Sequence, residues 1–141
     1  KAIEIFPYNN EIKGLYNRIL IGENGLNDSV KFSNRGLEFF NNQDYSNAAL
    51  EFEKAISSNP LDYSNYENAA TSNYMLGNLE KANEQIDRVI NDLNPLNGKC
   101  EYIKALIFIK MGDPIGACPL LETSRDSGFS QAKGIFDQYC R

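Results

Sequence analysis

Small and apolar residues recur along the chain at a fixed interval. Ala48, Ala82 and Ala117 stand 34 and 35 residues apart, and Phe52, Ile86 and Leu121 keep those intervals four positions later. Gly36, Ala70 and Ala105 form another small-residue column with the same spacing, and Gly77/Gly112 and Pro60/Pro95 repeat at 35. One extra residue, near Asn94-Pro95, separates the two intervals. A period of this length is the signature of stacked supersecondary units.

Within each unit the pattern predicts a helical hairpin. In the first, Phe32, Gly36, Phe39 and Phe40 are spaced by four and three, which places them along one helix face. Asn41-Asn42-Gln43-Asp44 supplies turn chemistry. A second helix is expected from about Ser46 to Ser58, striped by Ala48, Phe52, Ala55 and Ile56 and stopped by Asn59-Pro60. The second unit repeats the scheme with Tyr66, Ala70 and Tyr74, a Gly77-Asn78 turn, and Ala82, Ile86, Val89 and Ile90. The third has Tyr102, Ala105, Phe108 and Ile109, a Gly112-Asp113 turn, and Pro114 at a first helical position, where its missing N–H costs nothing. Its second helix carries Leu120, Leu121 and Ser124 and is expected to end at Gly128. The small columns let the paired helices approach closely, so all six residues Gly36, Ala48, Ala70, Ala82, Ala105 and Ala117 are expected to be buried.

These residues resemble the tetratricopeptide repeat family over residues 29–127. The best-matching stretches are Gly36 through Pro60 and Gly77-Asn78-Leu79-Glu80-Lys81-Ala82. The first unit departs from the pattern with Gln43 at the turn-glycine position, and the third with Ser124 in a small column. The resemblance implies an all-α fold, a right-handed α-solenoid of three repeats (29–62, 63–97 and 98–127) with a C-terminal cap helix over 128–141. Ser130 is the expected N-cap of that helix, and Ala132, Ile135, Phe136 and Tyr139 its apolar stripe. Residues 1–28 are expected to hold an amphipathic helix (Ile12, Leu15, Tyr16, Ile19, Leu20) and a loop over Gly22–Asp28. They form either a degenerate cap or the end of a longer array. The chain starts at Lys1 and reads as a processed form or a fragment.

The segment Gly116-Ala117-Cys118, with Ser127-Gly128-Phe129, Ala132 and Tyr139-Cys140, is similar to the endings of short repeat proteins of Bacteroidetes-like bacteria. In that group two cysteines at these places recur, and the proteins are often exported. The hairpin geometry argues independently for a Cys118–Cys140 pair. Both fall at the same end of antiparallel neighbours, whereas Cys100 falls at the other end of a helix ~18 Å long. A disulfide needs Cα atoms within about 7 Å. A bridge implies a periplasmic or secreted protein; two reduced, half-buried thiols would imply a cytoplasmic one.

Composition narrows the function. The 141 residues carry 14 basic and 19 acidic side chains, a net charge of −5, with no His. An acidic balance argues against a nucleic-acid footprint. No apolar run reaches the ~20 residues of a membrane-spanning helix. Without His there is no Ser–His or Cys–His pair and no imidazole ligand. The cysteines have no C-x-x-C spacing, and no phosphate-loop motif is present. Asp44 and Asp113 in turns, and Glu51, Glu53 and Glu84 on outer faces, read as solvated charges. No catalytic role, metal or cofactor is expected.

The resemblance implies a non-enzymatic scaffold for protein–protein interaction, whose concave groove takes a peptide or partner domain. Its first helices would line that groove with Ser33, Leu37, Phe40 and Asn41, then Glu67, Asn68, Thr71, Tyr74 and Met75, then Lys99, Tyr102, Ile103, Leu106, Ile109 and Lys110. One branch of the family grips a C-terminal carboxylate through Lys and Asn at fixed groove positions. Asn68 and Lys99 match it, but Ser33, Leu37 and Ile103 do not, so the carboxylate would lack its charge partners. Self-association through an open solenoid end, giving a homo-oligomer, and service as an accessory domain of a larger exported complex are the alternatives.

Overall fold

The computed structural model describes residues 10–93 and 95–140, with side chains from residue 21 onward. Among these residues there are seven α-helices and no strand. They are α1 (Asn10–Asn41), α2 (Tyr45–Ser58), α3 (Tyr63–Leu76), α4 (Leu79–Arg88), α5 (Lys99–Lys110), α6 (Pro114–Asp126) and α7 (Gln131–Tyr139). A π-helical turn, Val89–Leu93, prolongs α4. Packing runs in chain order: each helix lies on the next, and α3 also touches α5. The fold is an α-solenoid of helix hairpins.

The six residues of the paired small columns are all buried. At Gly36 the reason is direct, because a Cβ there would stand 2.6 Å from the Phe52 ring. The Phe52 side chain thus lies against the backbone of α1, and it joins Ala48 and Ala69 in one core cluster. The central cluster holds Tyr66, Ala70, Ala82, Ile86, Val89, Cys100, Ile103 and Ile107. The last cluster, Ala105, Ala117, Leu121 and Ala132, is covered by Ile135 and Phe136 of α7. Each cluster draws on consecutive units, as expected for an array that buries its core between neighbours.

The turns repeat as well. Gly77 and Gly112 take positive φ (83° and 90°), and Gln43 takes the same region at 61° in the first unit. Asp44 caps α2 by accepting from the Asn47 N–H, and Asp113 caps α6 by accepting from the Gly116 N–H at 2.8 Å. These two aspartates, expected as solvated charges only, therefore satisfy helix ends. Asn78 holds the equivalent place before α4 without a side-chain cap bond.

The extra residue can be located. Phe52 to Ile86 spans 34 positions and Pro60 to Pro95 spans 35, so it enters after Ile86 and before Pro95. The π turn at Val89–Leu93 lies in that window. A π turn holds one more residue than the α-helical turn it replaces, so the inserted residue is taken up within the helix.

Three expectations are corrected. The loop over Gly22–Asp28 is helical after a kink at Gly22 (φ 80°), so α1 runs on into the first hairpin. Ser130 has helical φ/ψ and makes no capping bond; the Ala132 N–H instead donates to the Phe129 carbonyl. Tyr139 is 41% exposed, because the short α7 turns only Ala132, Ile135 and Phe136 onto the core.

Candidate functional site

The expected groove residues lie on α1, α3 and α5. Leu37 and Asn41 are exposed, and Phe40 is half-buried at an edge-to-face contact with Tyr45 (centroids 5.1 Å apart). On α3, Asn68, Thr71 and Tyr74 are half-buried and Met75 exposed; on α5, Tyr102, Leu106 and Ile109 are half-buried. The α3 and α5 residues adjoin one another. Burial, with a smaller contribution from the Tyr74 phenol, pushes the Tyr102 phenol up. From α5, Lys110 Nζ donates to the Tyr74 carbonyl at 2.9 Å and lies 4.4 Å from the centre of its ring. Thr71 Oγ1 donates to the Glu67 carbonyl one turn back, so its hydrogen bond is made within α3.

Two residues mapped to the groove surface are not on it. Ile103 is 7% exposed and belongs to the central core. Glu67 is 3% exposed. In both cases α3 and α5 sit close enough to cover the position between them, which a repeat pattern read one unit at a time does not register. Glu51 is corrected too: it is buried and pairs with Lys54 at 3.2 Å, because α2 is packed by α1 on one side and α3 on the other. Glu53 pairs with Lys81 of the next unit, and Glu84 is exposed.

Glu67 is chemically distinctive, a carboxyl buried beneath this surface. Its Oε1 faces Lys99 Nζ at 4.0 Å, the outer limit of an ion pair, and the Lys99 side chain is 46% exposed. Its Oε2 is buried and has no hydrogen-bond partner among the described residues. Burial pushes the carboxyl up, Lys99 and the Asn97 amide pull it down, and Glu101 and Asp62 push it up again. Next to it, the buried Cys100 thiol donates to both Glu101 oxygens at 3.0 Å. Burial, with that carboxylate beside it, pushes the thiol up to about 12, so Cys100 stays protonated. No repeat column singles out this cluster; the only sequence signal was three acids and one Lys within reach of the 95–101 segment.

At the far end, Cys118 and Cys140 are disulfide-bonded with Cα atoms 5.7 Å apart, and Cys100 is the free thiol. Among the described residues, no group of three His, Cys, Asp or Glu is placed to hold a metal ion. No described helix is long and apolar enough to cross a membrane.

No family model and no curated protein matches the sequence. Among solved structures, the chain is similar to the crystal structure of the Sgt2 tetratricopeptide repeat (TPR) domain from Aspergillus fumigatus. The TM-score is 0.70 at 23% identity, over 79% of this chain and 76% of that one. That likeness shows the fold: a solenoid of tetratricopeptide-like hairpins.

Proposed function

We propose that this protein is a non-enzymatic interaction scaffold, and that a peptide or partner domain docks across the first helices of its units. The observation that carries this reading is the run of Leu37, Phe40, Tyr74, Met75, Leu106 and Ile109 along α1, α3 and α5. These apolar side chains stay exposed or half-exposed and are interleaved with Asn41 and Asn68. Apolar anchors among directed polar groups make a recognition surface. The units are 29–62, 63–97 and 98–127, with 1–28 before them and a cap over 128–141. A disulfide-linked cap fits an oxidising compartment, so a periplasmic or secreted setting is part of the proposal, as in the exported bacterial repeat proteins its ending resembles.

The test compares captured proteins between variants. Leu106→Asp places a charge on the docking face at a half-buried position, and Glu84→Lys places one elsewhere, on exposed α4 surface. Proteins captured from the native host and identified by mass spectrometry should be lost from Leu106→Asp and kept by Glu84→Lys, with helical circular dichroism unchanged in both. Equal capture by both variants rules the docking face out. A collapse of helicity in Leu106→Asp would place Leu106 in the core instead.

A second reading is self-association through an end of the solenoid. It predicts a sedimentation mass that rises with protein concentration, which a monomeric scaffold does not show.

A further inference from the structure

The junction between α3 and α5 has a polar centre that the docking surface does not otherwise explain. Glu67 is 3% exposed, yet its Oε2 has no hydrogen-bond partner among the described residues. Leaving a buried carboxylate oxygen unsatisfied is costly, so a donor completes the arrangement when one is present. The internal candidates are a poor fit. Lys99 Nζ stands 4.0 Å from the other oxygen, Oε1, beyond hydrogen-bond distance and on a side chain that is about half exposed, and the Asn97 amide, which also pulls the carboxyl down, makes no hydrogen bond to Oε2.

The surrounding charge sets the sign of the missing donor. Glu67, Glu101 and Asp62 contribute three carboxylates against the one ammonium of Lys99. Glu101 is held in place by the Cys100 thiol, which donates to both of its oxygens. An anionic ligand brought to Lys99 would meet that excess of negative charge. That excess weighs against a carboxylate grip built on Asn68 and Lys99. We infer that this junction is a specificity pocket for a cationic side chain of the docked segment, an arginine or lysine, which displaces Lys99 and so reaches the buried, unsatisfied Oε2 of Glu67. The inference rests on the docking surface proposed above and adds the charge that its partner must carry. Lys99 acts as an internal stand-in, a loosely held cation that keeps the pocket neutralised until a better-placed one arrives.

The probe is n-butylguanidinium, titrated into the whole protein while backbone amide shifts are followed by NMR. Saturable shifts are expected at the amides of Glu67, Lys99 and Glu101. They should vanish in Glu67→Gln and saturate at several-fold lower concentration in Lys99→Ala, which removes the internal competitor. Sodium butyrate should give no saturable shifts at these amides. The inference is overturned if butyrate saturates there, if Glu67→Gln responds like the wild type, or if Lys99→Ala binds the guanidinium more weakly. Lys99→Ala changes an exposed side chain and retains Glu67 itself, which keeps the test decisive should Glu67→Gln misfold. The underlying reading is tested separately. A partner lost from Leu106→Asp but bound equally by Glu67→Gln would remove the cation pocket and leave the docking face standing.

Discussion

At position 43 the chain keeps a backbone conformation that its side chain disfavours. Gln43 holds φ 61° at the site that Gly77 and Gly112 fill in the next two units. A non-glycine residue in this region carries roughly 1–3 kcal/mol of strain. Gln43→Gly relieves it at the expense of a more flexible unfolded chain, so a net stabilisation of about 1 kcal/mol is expected. Urea unfolding would register this as a higher midpoint at unchanged slope; a lower midpoint would show that the Gln43 side chain contributes more than its backbone loses. The buried Glu67 supplies a residue-level effect with a pH signature. Its carboxyl is raised above 4.5 in the folded state, so the native protein binds more protons than the unfolded chain. Stability from this group is therefore complete below 4.5 and is lost as pH rises through the higher native value. Relative to Glu67→Gln, which does not titrate there, the wild type should gain stability on acidification from neutral pH to 4.5. The groups facing it are Lys99, Asn97, Glu101 and Asp62, so the comparison with Gln isolates its own share. A difference between the two proteins that does not move with pH would mean that Glu67 has its ordinary carboxylate affinity for protons.

Among the elements, the final helix depends most on a covalent tie. α7 has nine residues, no side-chain cap, and one fully buried side chain, Ala132. A helix this short is marginal without tertiary support. The disulfide fastens its end to α6 and closes a loop of 22 residues. In the chain-entropy picture that is worth roughly 3 kcal/mol. A thiol reductant should lower the melting temperature of the wild type and leave a Cys118→Ser/Cys140→Ser double variant unmoved. A wild-type melting temperature indifferent to reductant would show that α7 docks without the bridge. α1 shows the opposite case, an element that its composition undersells. Gly22-Glu23-Asn24-Gly25 reads as loop, yet the chain is helical beyond Gly22. A Cβ at Gly25 would stand 2.6 Å from Ile21 Cγ2 and 3.1 Å from the Ser58 carbonyl, so glycine fits where α1 meets the end of α2. Tertiary packing outweighs local propensity there.

For the molecule as a whole, the sequence was legible wherever a repeat had to satisfy one constraint many times. The small columns and the turn glycines are of that kind, whereas the single Cys118–Cys140 bridge was legible from the antiparallel placement of its two helices. What stayed hidden arises where one unit covers another. Glu51, Glu67 and Ile103 have the right period for a surface, and neighbouring helices bury them. The aspartate caps were in plain view as a column, Asp44 and Asp113 with Asn78 between, but acid in a turn looks the same whether it is solvated or bonded to a helix end. The cation pocket was hidden for a third reason: Glu67 comes from one unit and Lys99 and Glu101 from the next, at positions that share no repeat column.

The π turn at Val89–Leu93 bears on how such a chain can change over generations. Arrays of this kind are usually pictured as growing by copying whole units. Here a single codon's worth of length sits inside a helix, while Ile86 before it and Cys100 after it both remain in the central core. A gain or loss of one residue is thus a survivable event even outside the loops. The repeat length of a solenoid can then drift in steps of one, and its period records descent only loosely.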